Sequence, residues 1–365
     1  MNRNICFFNT IKTWGGGEKW HLEMALCLKN AGYPVVLGTS PGSALYRKAI
    51  ENGLPCFPVS VSNLSFLNPF KRLRLAAFFR NRKIHTLFLN HPSDVKLAGM
   101  AAKTAGVKNI IYRRGSAVPV KNSFLNRYLF GHVLTHVIAN SQATKNTLLQ
   151  NNPALFPQDK IQVMYNGIDL SAVRPPVRAI NRDVVVLGNI GRMVHQKGQH
   201  YLIELAKRLR QRNLNFRVLI GGDGPMLNDL KKRVDNYNLS DCVFFPGFID
   251  DVFSFMHSID IFLLPSLWEG FGFVIAEAMA CHKPVVAWNL SSNPELIMHN
   301  VNGLLIPAFD MDRFTDAVVT LMDSPVNRTR MGDAGFELCQ SQFSLAAASS
   351  RLLNFVNQLH LTDMA

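Results

Sequence analysis

The segment Asp260-Ile-Phe-Leu-Leu-Pro-Ser-Leu-Trp-Glu-Gly-Phe-Gly-Phe-Val-Ile-Ala-Glu-Ala-Met-Ala280 constrains the fold more than any other stretch of the chain. Ile261 to Leu264 is a continuous apolar run, the pattern of a strand covered on both faces. Pro265 and Ser266 end it, a short loop carries Glu269-Gly-Phe-Gly272, and a helical pattern runs from Phe273 to Cys281. A strand followed by a glycine-containing loop and a helix N-terminus aims backbone N–H groups and the positive end of a helix dipole at an anion. Glu269 falls in the loop and Glu277 about one turn into the helix, so two carboxylates face the same crevice. Carboxylates are poor phosphate ligands but accept paired hydrogen bonds from vicinal hydroxyls, as on a ribose or a hexose. A ligand with phosphate in its middle and a sugar at each end is a nucleotide-sugar.

The rest of the chain repeats this alternation, and its 365 residues suit two domains of ordinary size. The expected class is α/β, two Rossmann-like domains facing each other across a cleft. They divide into residues 1–170 and 171–344, with the non-periodic stretch Arg174 to Arg182, containing Pro175-Pro176, as linker. No uncharged apolar run is long enough to cross a bilayer, and the start is too short in apolar residues for a signal peptide. Six cysteines without a C-x-x-C pair suit buried thiols in a reducing cytoplasm. The net charge of +14 is uneven: residues 1–170 hold 21 Lys and Arg against 6 Asp and Glu, and residues 171–365 hold 18 against 19. The excess suggests an anionic partner for the first half alone: a membrane surface, a phosphorylated or lipid-linked acceptor, or nucleic acid.

Along the chain, Asn4 to Asn9 reads as the first strand and is followed by Gly15, Gly16 and Gly17, which permit close backbone approach to a ligand. Phe66 to Lys83 places six basic residues among apolar ones at mostly helical spacing. Phe70, Leu73, Ala77 and Phe78 line one side. The stretch reads equally as a helix on an anionic bilayer and as a packed helix with a solvated basic face. Strands at Thr86 to Asn90 and Asn109 to Tyr112 run into His91-Pro-Ser-Asp94 and Arg113-Arg-Gly-Ser116. Arg113 or Arg114 suits a phosphate or carboxylate of donor or acceptor. Val184 to Ile190 is a strand whose loop, Gly191 to Gly198, carries Arg192 and Lys197, and Phe216 to Pro225 enters a tight glycine-rich turn.

Glu269-x7-Glu277 with its intervening glycines, Asn166-Gly-Ile-Asp169, Asn293-Pro-Glu-Leu and Asn302-Gly-Leu-Leu resemble the signatures of the retaining GT-B glycosyltransferases of family 4. The resemblance implies hexosyl transfer with retention at the anomeric carbon, from a UDP- or GDP-type nucleotide-sugar, without a cofactor and without a metal site. It implies Glu269 on sugar hydroxyls and Glu277 on the ribose. Gly270, Phe271, Gly272 and Phe273 would offer amides to sugar and phosphate, and Gly247 and Phe248 would lie against the base. Arg192 and Lys197 would hold the diphosphate, whose developing charge needs cations when it leaves. The glycines at 15–17 would lie against diphosphate and acceptor, and the last helix, within 345–365, would pack back on the first domain. Many relatives carry a histidine where Arg113 and Arg114 stand, so the acceptor-side helper is unassigned. The acceptor implied is a glycan or lipid-linked molecule of lipopolysaccharide or cell-surface polysaccharide synthesis. The setting is cytoplasmic or peripheral on the inner membrane face, with no nucleic acid; oligomeric state is left open. Alternatives are a same-fold sugar-nucleotide epimerase and a non-enzymatic basic RNA- or membrane-binding protein. Nucleic-acid signatures of the RRM type are absent.

Overall fold

In a computed structural model, residues 3–173 and 184–362 are described. The expected linker from Arg174 to Arg182 lies outside them. The chain divides into two compact units: the first takes residues up to Asn166 together with those from Ala348 onward, and the second spans Gly167–Ala347.

The first unit holds a seven-stranded parallel sheet. Its strands are β1 (Asn4–Asn9), β2 (Val35–Thr39), β3 (Cys56–Pro58), β4 (Ile84–Leu89), β5 (Asn109–Arg114), β6 (His136–Ala139) and β7 (Ile161–Val163). Their spatial order is β3-β2-β1-β4-β5-β6-β7. The second unit holds β8 (Val185–Ile190), β9 (Phe216–Gly221), β10 (Val243–Phe244), β11 (Ile261–Leu264), β12 (Val285–Trp288) and β13 (Gly303–Ile306), ordered β10-β9-β8-β11-β12-β13. In each sheet the order reverses beside the first strand, between β1 and β4 and between β8 and β11. Chains leaving neighbouring strands there turn to opposite faces and open a crevice beyond the carboxyl ends. The central strands of both sheets are almost wholly buried, as in β11, where all four residues are inaccessible, whereas the short edge strands β3, β7 and β10 are only partly so. Helix-covered parallel sheets need that apolar continuity.

Short polar side chains set the helix starts. Ser141 accepts from the Thr144 amide, and Asn68 from the Lys71 amide ahead of Pro69, each satisfying an otherwise orphaned donor. The basic stretch forms a helix, Pro69–Asn81, that buries Leu75, Ala76 and Phe79. The stripe read from the sequence as its apolar side therefore faces outward in large part, with Phe70 81% and Leu73 56% exposed. Phe78 alone of that set turns in, stacking on Phe57 at 4.0 Å. The helix has two apolar stripes, and the three buried positions won the contact with the sheet. The last helix, Leu345–Thr362, buries Leu352 and Val356, and Tyr33 donates to Asn357 at 2.6 Å. Among the described residues no helix is long and apolar enough to cross a membrane.

Candidate functional site

Two loops meet at the reversal point of the second sheet. After β8 the chain passes Arg192, turns through His195–Lys197 and reaches Gly198 at φ +63°. After β11 it passes Pro265 and reaches Glu269. Backbone and side chain stitch the loops together: Leu267 donates to the Gln196 carbonyl at 2.8 Å, and Gln196 Nε2 to the Trp268 carbonyl at 2.7 Å. The result places Lys197 Nζ 2.7 Å from Glu269 Oε1, with the two side chains 18% and 8% exposed. Hydroxyls of Ser291 and Ser292 hold the Glu269 carbonyl at 2.6 and 3.3 Å. Glu269 occupies one of the three donors of the ammonium, which keeps others for an incoming anion.

Gly272, at φ +87°, starts the helix Phe273–Ala280, and no side chain caps that end. Glu277 is half-buried on this helix, within electrostatic reach of Cys281 one turn further on. The Phe271 ring is 2% exposed and packs edge-on against Phe273 and Phe343. Arg192 is exposed, and its carbonyl accepts from Val194 and Gln199.

Backbone contacts extend the site across the neighbouring loops. Gly191 donates to Gly221 at 3.0 Å, Met193 to Asp223 at 2.8 Å and Gly222 to Gly247 at 2.7 Å. Gly222 and Gly224 sit at φ +129° and +156°, and a Cβ on Gly222 would lie 2.0 Å from the Gly191 carbonyl. Phe248, next to this stack, is 74% exposed. Asn189 closes the strand end by donating to the Leu263 carbonyl at 2.8 Å.

The reversal point of the first sheet carries a buried polar cluster. Gly15 leads into the helix Gly16–Asn30, and a Cβ on Gly17 would lie 2.6 Å from Asn90 Nδ2. Glu18, 5% exposed, accepts from Asn9 Nδ2 at 2.9 Å. Arg113 lies over the Trp20 ring and donates to Asn90 at 3.3 Å and to Asn166 at 2.8 Å. Arg114 instead donates to the Val118 carbonyl, and its Nε is buried without a partner. Sequence reasoning treated Asp94 only as part of a strand end. It is fully buried and accepts from both the amide and the hydroxyl of Thr10. The available signal was asparagine at strand ends: Asn9, Asn90, Asn140 and Asn189 all mark one, and each makes a side-chain bond to a neighbouring element, to Glu18, Arg113, the Gly115 carbonyl and the Leu263 carbonyl respectively.

Burial pushes the Asp94 carboxyl up to about 7, against the pull of the Thr10 bonds. It pushes His21 down to about 3, assisted by the charge of Arg113, and Arg113 down to about 10 against the attraction of Glu18. The two large shifts act oppositely on stability. Asp94 binds its proton more tightly in the fold, so its contribution is complete below pH 3.8 and is lost as pH rises through about 7. His21 binds its proton less tightly, so its contribution is complete above pH 6.5 and is lost as pH falls through about 3. Where the two windows overlap, from pH 3.8 to 6.5, the slopes cancel. Asp94→Asn removes one of them, and its stability relative to the parent is expected to rise by about 1 kcal/mol per pH unit from pH 4 to 7. Urea unfolding at pH 4.5, 5.5 and 6.5 measures this; a constant difference would show that Asp94 titrates normally.

Among the described residues no group of three or more His, Cys, Asp or Glu is arranged to hold a metal ion. Comparison with known proteins matches residues 14–172 to the sequence model described as Glycosyltransferase Family 4 and residues 174–338 to that described as Glycosyl transferases group 1. The chain belongs to the family 4 glycosyltransferases. This glycosyltransferase is 33% identical over 174 residues to an alpha-D-kanosaminyltransferase of Streptomyces kanamyceticus, covering 47% of this chain and 45% of that one, so it spans less than half of that relative's length. It is 28% identical over 319 residues to a GDP-mannose-dependent alpha-(1-6)-phosphatidylinositol monomannoside mannosyltransferase of Mycobacterium tuberculosis, 81% of each chain. A crystal structure of Anabaena HepE in complex with UDP and glucose superposes with a TM-score of 0.82 at 19% identity, over 97% of this chain and 99% of that one. The glycosyltransferase thus has the paired Rossmann-like sheets of the GT-B fold.

Proposed function

We propose that the protein transfers a hexosyl group from a UDP- or GDP-type nucleotide-sugar to a glycan or lipid-linked acceptor, with retention of anomeric configuration. The observation that carries this reading is the Lys197–Glu269 pair at 2.7 Å where the second sheet reverses. A cation and a carboxylate so close suit the two ends of one bond: the ammonium meets the departing diphosphate, and the carboxylate grips hydroxyls of the sugar left behind. Arg192, exposed on the same loop, adds a second cation. Amides from Gly270 to Phe273 face sugar and phosphate, Glu277 takes the ribose, and Gly247 and Phe248 take the base. In the first unit, Gly15, Gly16 and Gly17 border the acceptor, and Arg113 holds the surrounding polar cluster in place. The mannosyltransferase relative, by its name, acts on a phosphatidylinositol mannoside, which supports a cell-surface glycolipid or polysaccharide as the product class.

An anionic membrane surface is the proposed docking partner. Leu64, Leu67, Phe70 and Leu73 are all more than half exposed and lie beside the exposed Lys71 and Arg74, a combination suited to a bilayer interface. The test is twofold. Thermal shift should show stabilisation by one class of nucleotide-sugar, lost in Glu277→Ala, and proton NMR of the product should show the donor's anomeric configuration. Sedimentation with anionic vesicles should fall in Phe70→Ser/Leu73→Ser. An inverted product, no stabilisation by any donor, or unchanged sedimentation would each remove the corresponding part of the proposal.

A further inference from the structure

Arg113 and Arg114 are adjacent in sequence and opposite in role. The Arg113 guanidinium donates to Asn90 and Asn166 and lies over Trp20, and its Nε, like that of Arg114, is buried without a partner; what separates the two is that Arg114 alone borders a cavity. Arg114 borders a cavity of about 180 Å³ within the first unit, lined also by Val95, Tyr112, Val120, Lys121, Leu129 and Phe130. Apart from Arg114, Lys121 and Asn126, these walls are largely apolar.

Arg114 is 8% exposed, and its Nε N–H is buried with no hydrogen-bond partner. A cationic donor withdrawn from water and left unpaired is costly, and native structures retain such groups mainly where a ligand or ordered water completes them. Guanidinium is also the side chain best shaped for an anion's paired oxygens. Lys121, exposed at the same cavity, supplies a second positive charge. The volume is near the roughly 150 Å³ of an apolar cavity that takes one benzene ring, so it admits a head end and a few carbons, not a whole lipid. The segment framing it carries three exposed apolar side chains, Val118 at 45%, Phe124 at 79% and Tyr128 at 41%. A sugar phosphate would gain nothing from them.

We infer that this cavity is the acceptor pocket, and that it takes a phosphate ester whose phosphate meets Arg114 and Lys121 while the adjoining hydrocarbon lies on Val95, Val120, Leu129 and Phe130. The inference rests on the glycosyl-transfer reading and narrows the acceptor to an alkyl- or lipid-linked phosphate. Its chemistry is binding alone, with no bond made or broken in the pocket.

The test uses the full chain with hexyl phosphate, hexanol, glucose 6-phosphate and inorganic phosphate as probes. Binding is followed by methyl NMR at Val95, Val120 and Leu129. Hexyl phosphate should bind about tenfold more tightly than any of the other three, because the cations and the apolar wall act together. Arg114→Met should lose about tenfold of that affinity and Lys121→Gln about threefold. Lys121 is exposed, so its variant decides the matter if Arg114→Met fails to fold. Equal binding of hexanol, inorganic phosphate or glucose 6-phosphate, absence of hexyl phosphate binding, or an unaffected Lys121→Gln overturns the inference. UDP and GDP are titrated on the same samples. Retained nucleotide binding with an empty pocket sinks the acceptor site alone, whereas failure of the wild type to bind any nucleotide sinks the reading beneath it.

Discussion

On the proposed function, Glu269→Gln is expected to lower kcat/KM for glycosyl transfer by about a thousandfold, equivalent to about 4 kcal/mol of transition-state stabilisation. The amide keeps the volume of the carboxylate but accepts through one oxygen, so on that reading it would lose charge-assisted bonds to sugar hydroxyls that strengthen as the anomeric carbon becomes cationic. The substitution also strips Lys197 of its counter-charge. Lys197 is the more accessible partner, at 18% against 8% for Glu269. The stability cost of Glu269→Gln is therefore about 1–2 kcal/mol, because the ammonium can turn toward water. Lys197→Met is the harsher change for the fold: it leaves a buried carboxylate alone, at about 3 kcal/mol or with protonation instead. Steady-state transfer of a labelled sugar together with urea unfolding of both single variants and the double variant separates the two effects. An E269Q enzyme keeping more than about a tenth of parental kcat/KM would show that the carboxylate is structural.

Gly198→Ala is expected to destabilise the protein by about 3 kcal/mol more than Gly53→Ala and to abolish nucleotide-sugar binding. The comparison is matched, because both glycines sit at φ +63° and share the ordinary left-handed penalty of about 1–2 kcal/mol. What differs is what a Cβ would meet. At Gly53 the nearest atom is the flexible Lys29 Nζ at 3.5 Å, and at Gly198 it is the Pro265 carbonyl oxygen at 2.1 Å. Backbone cannot step aside as a lysine tip can. Relief requires the loop carrying Lys197 to part from the loop carrying Glu269, which is where the 2.7 Å pair is made. Thermal unfolding of the two variants, with calorimetric titration of UDP and GDP, measures both quantities. Equal losses in stability would mean that the loops have room to separate without consequence.

The fold was legible because its signals are local. β1 and β11 read directly from apolar runs ending in small or polar residues, and Asn4–Asn9 emerged with the expected bounds. The approach of Lys197 to Glu269, 72 residues apart, was suggested by a family motif and not by any local pattern, since only the β8–β11 adjacency brings them together. The polar cluster of the first unit was the least legible part. Asp94, Thr10 and Asn166 come from three distant segments, and nothing in the neighbourhood of any one of them announces the others. Helical periodicity misled at Pro69–Asn81, where two apolar stripes compete and only tertiary contact chooses between them.

The loops following β8, β9 and β10 are joined to one another by main-chain amides, at Gly191, Met193 and Gly222. A scaffold fastened through peptide groups demands glycine at its closest approaches, Gly222 and Gly224, and leaves the side chains around them open to change. Descendants of such a chain can exchange the exposed Phe248 or its neighbours, and with them, on the proposed function, the preferred heterocycle, while the frame stays where it is. New donor preferences in enzymes built this way should therefore arise from very few substitutions.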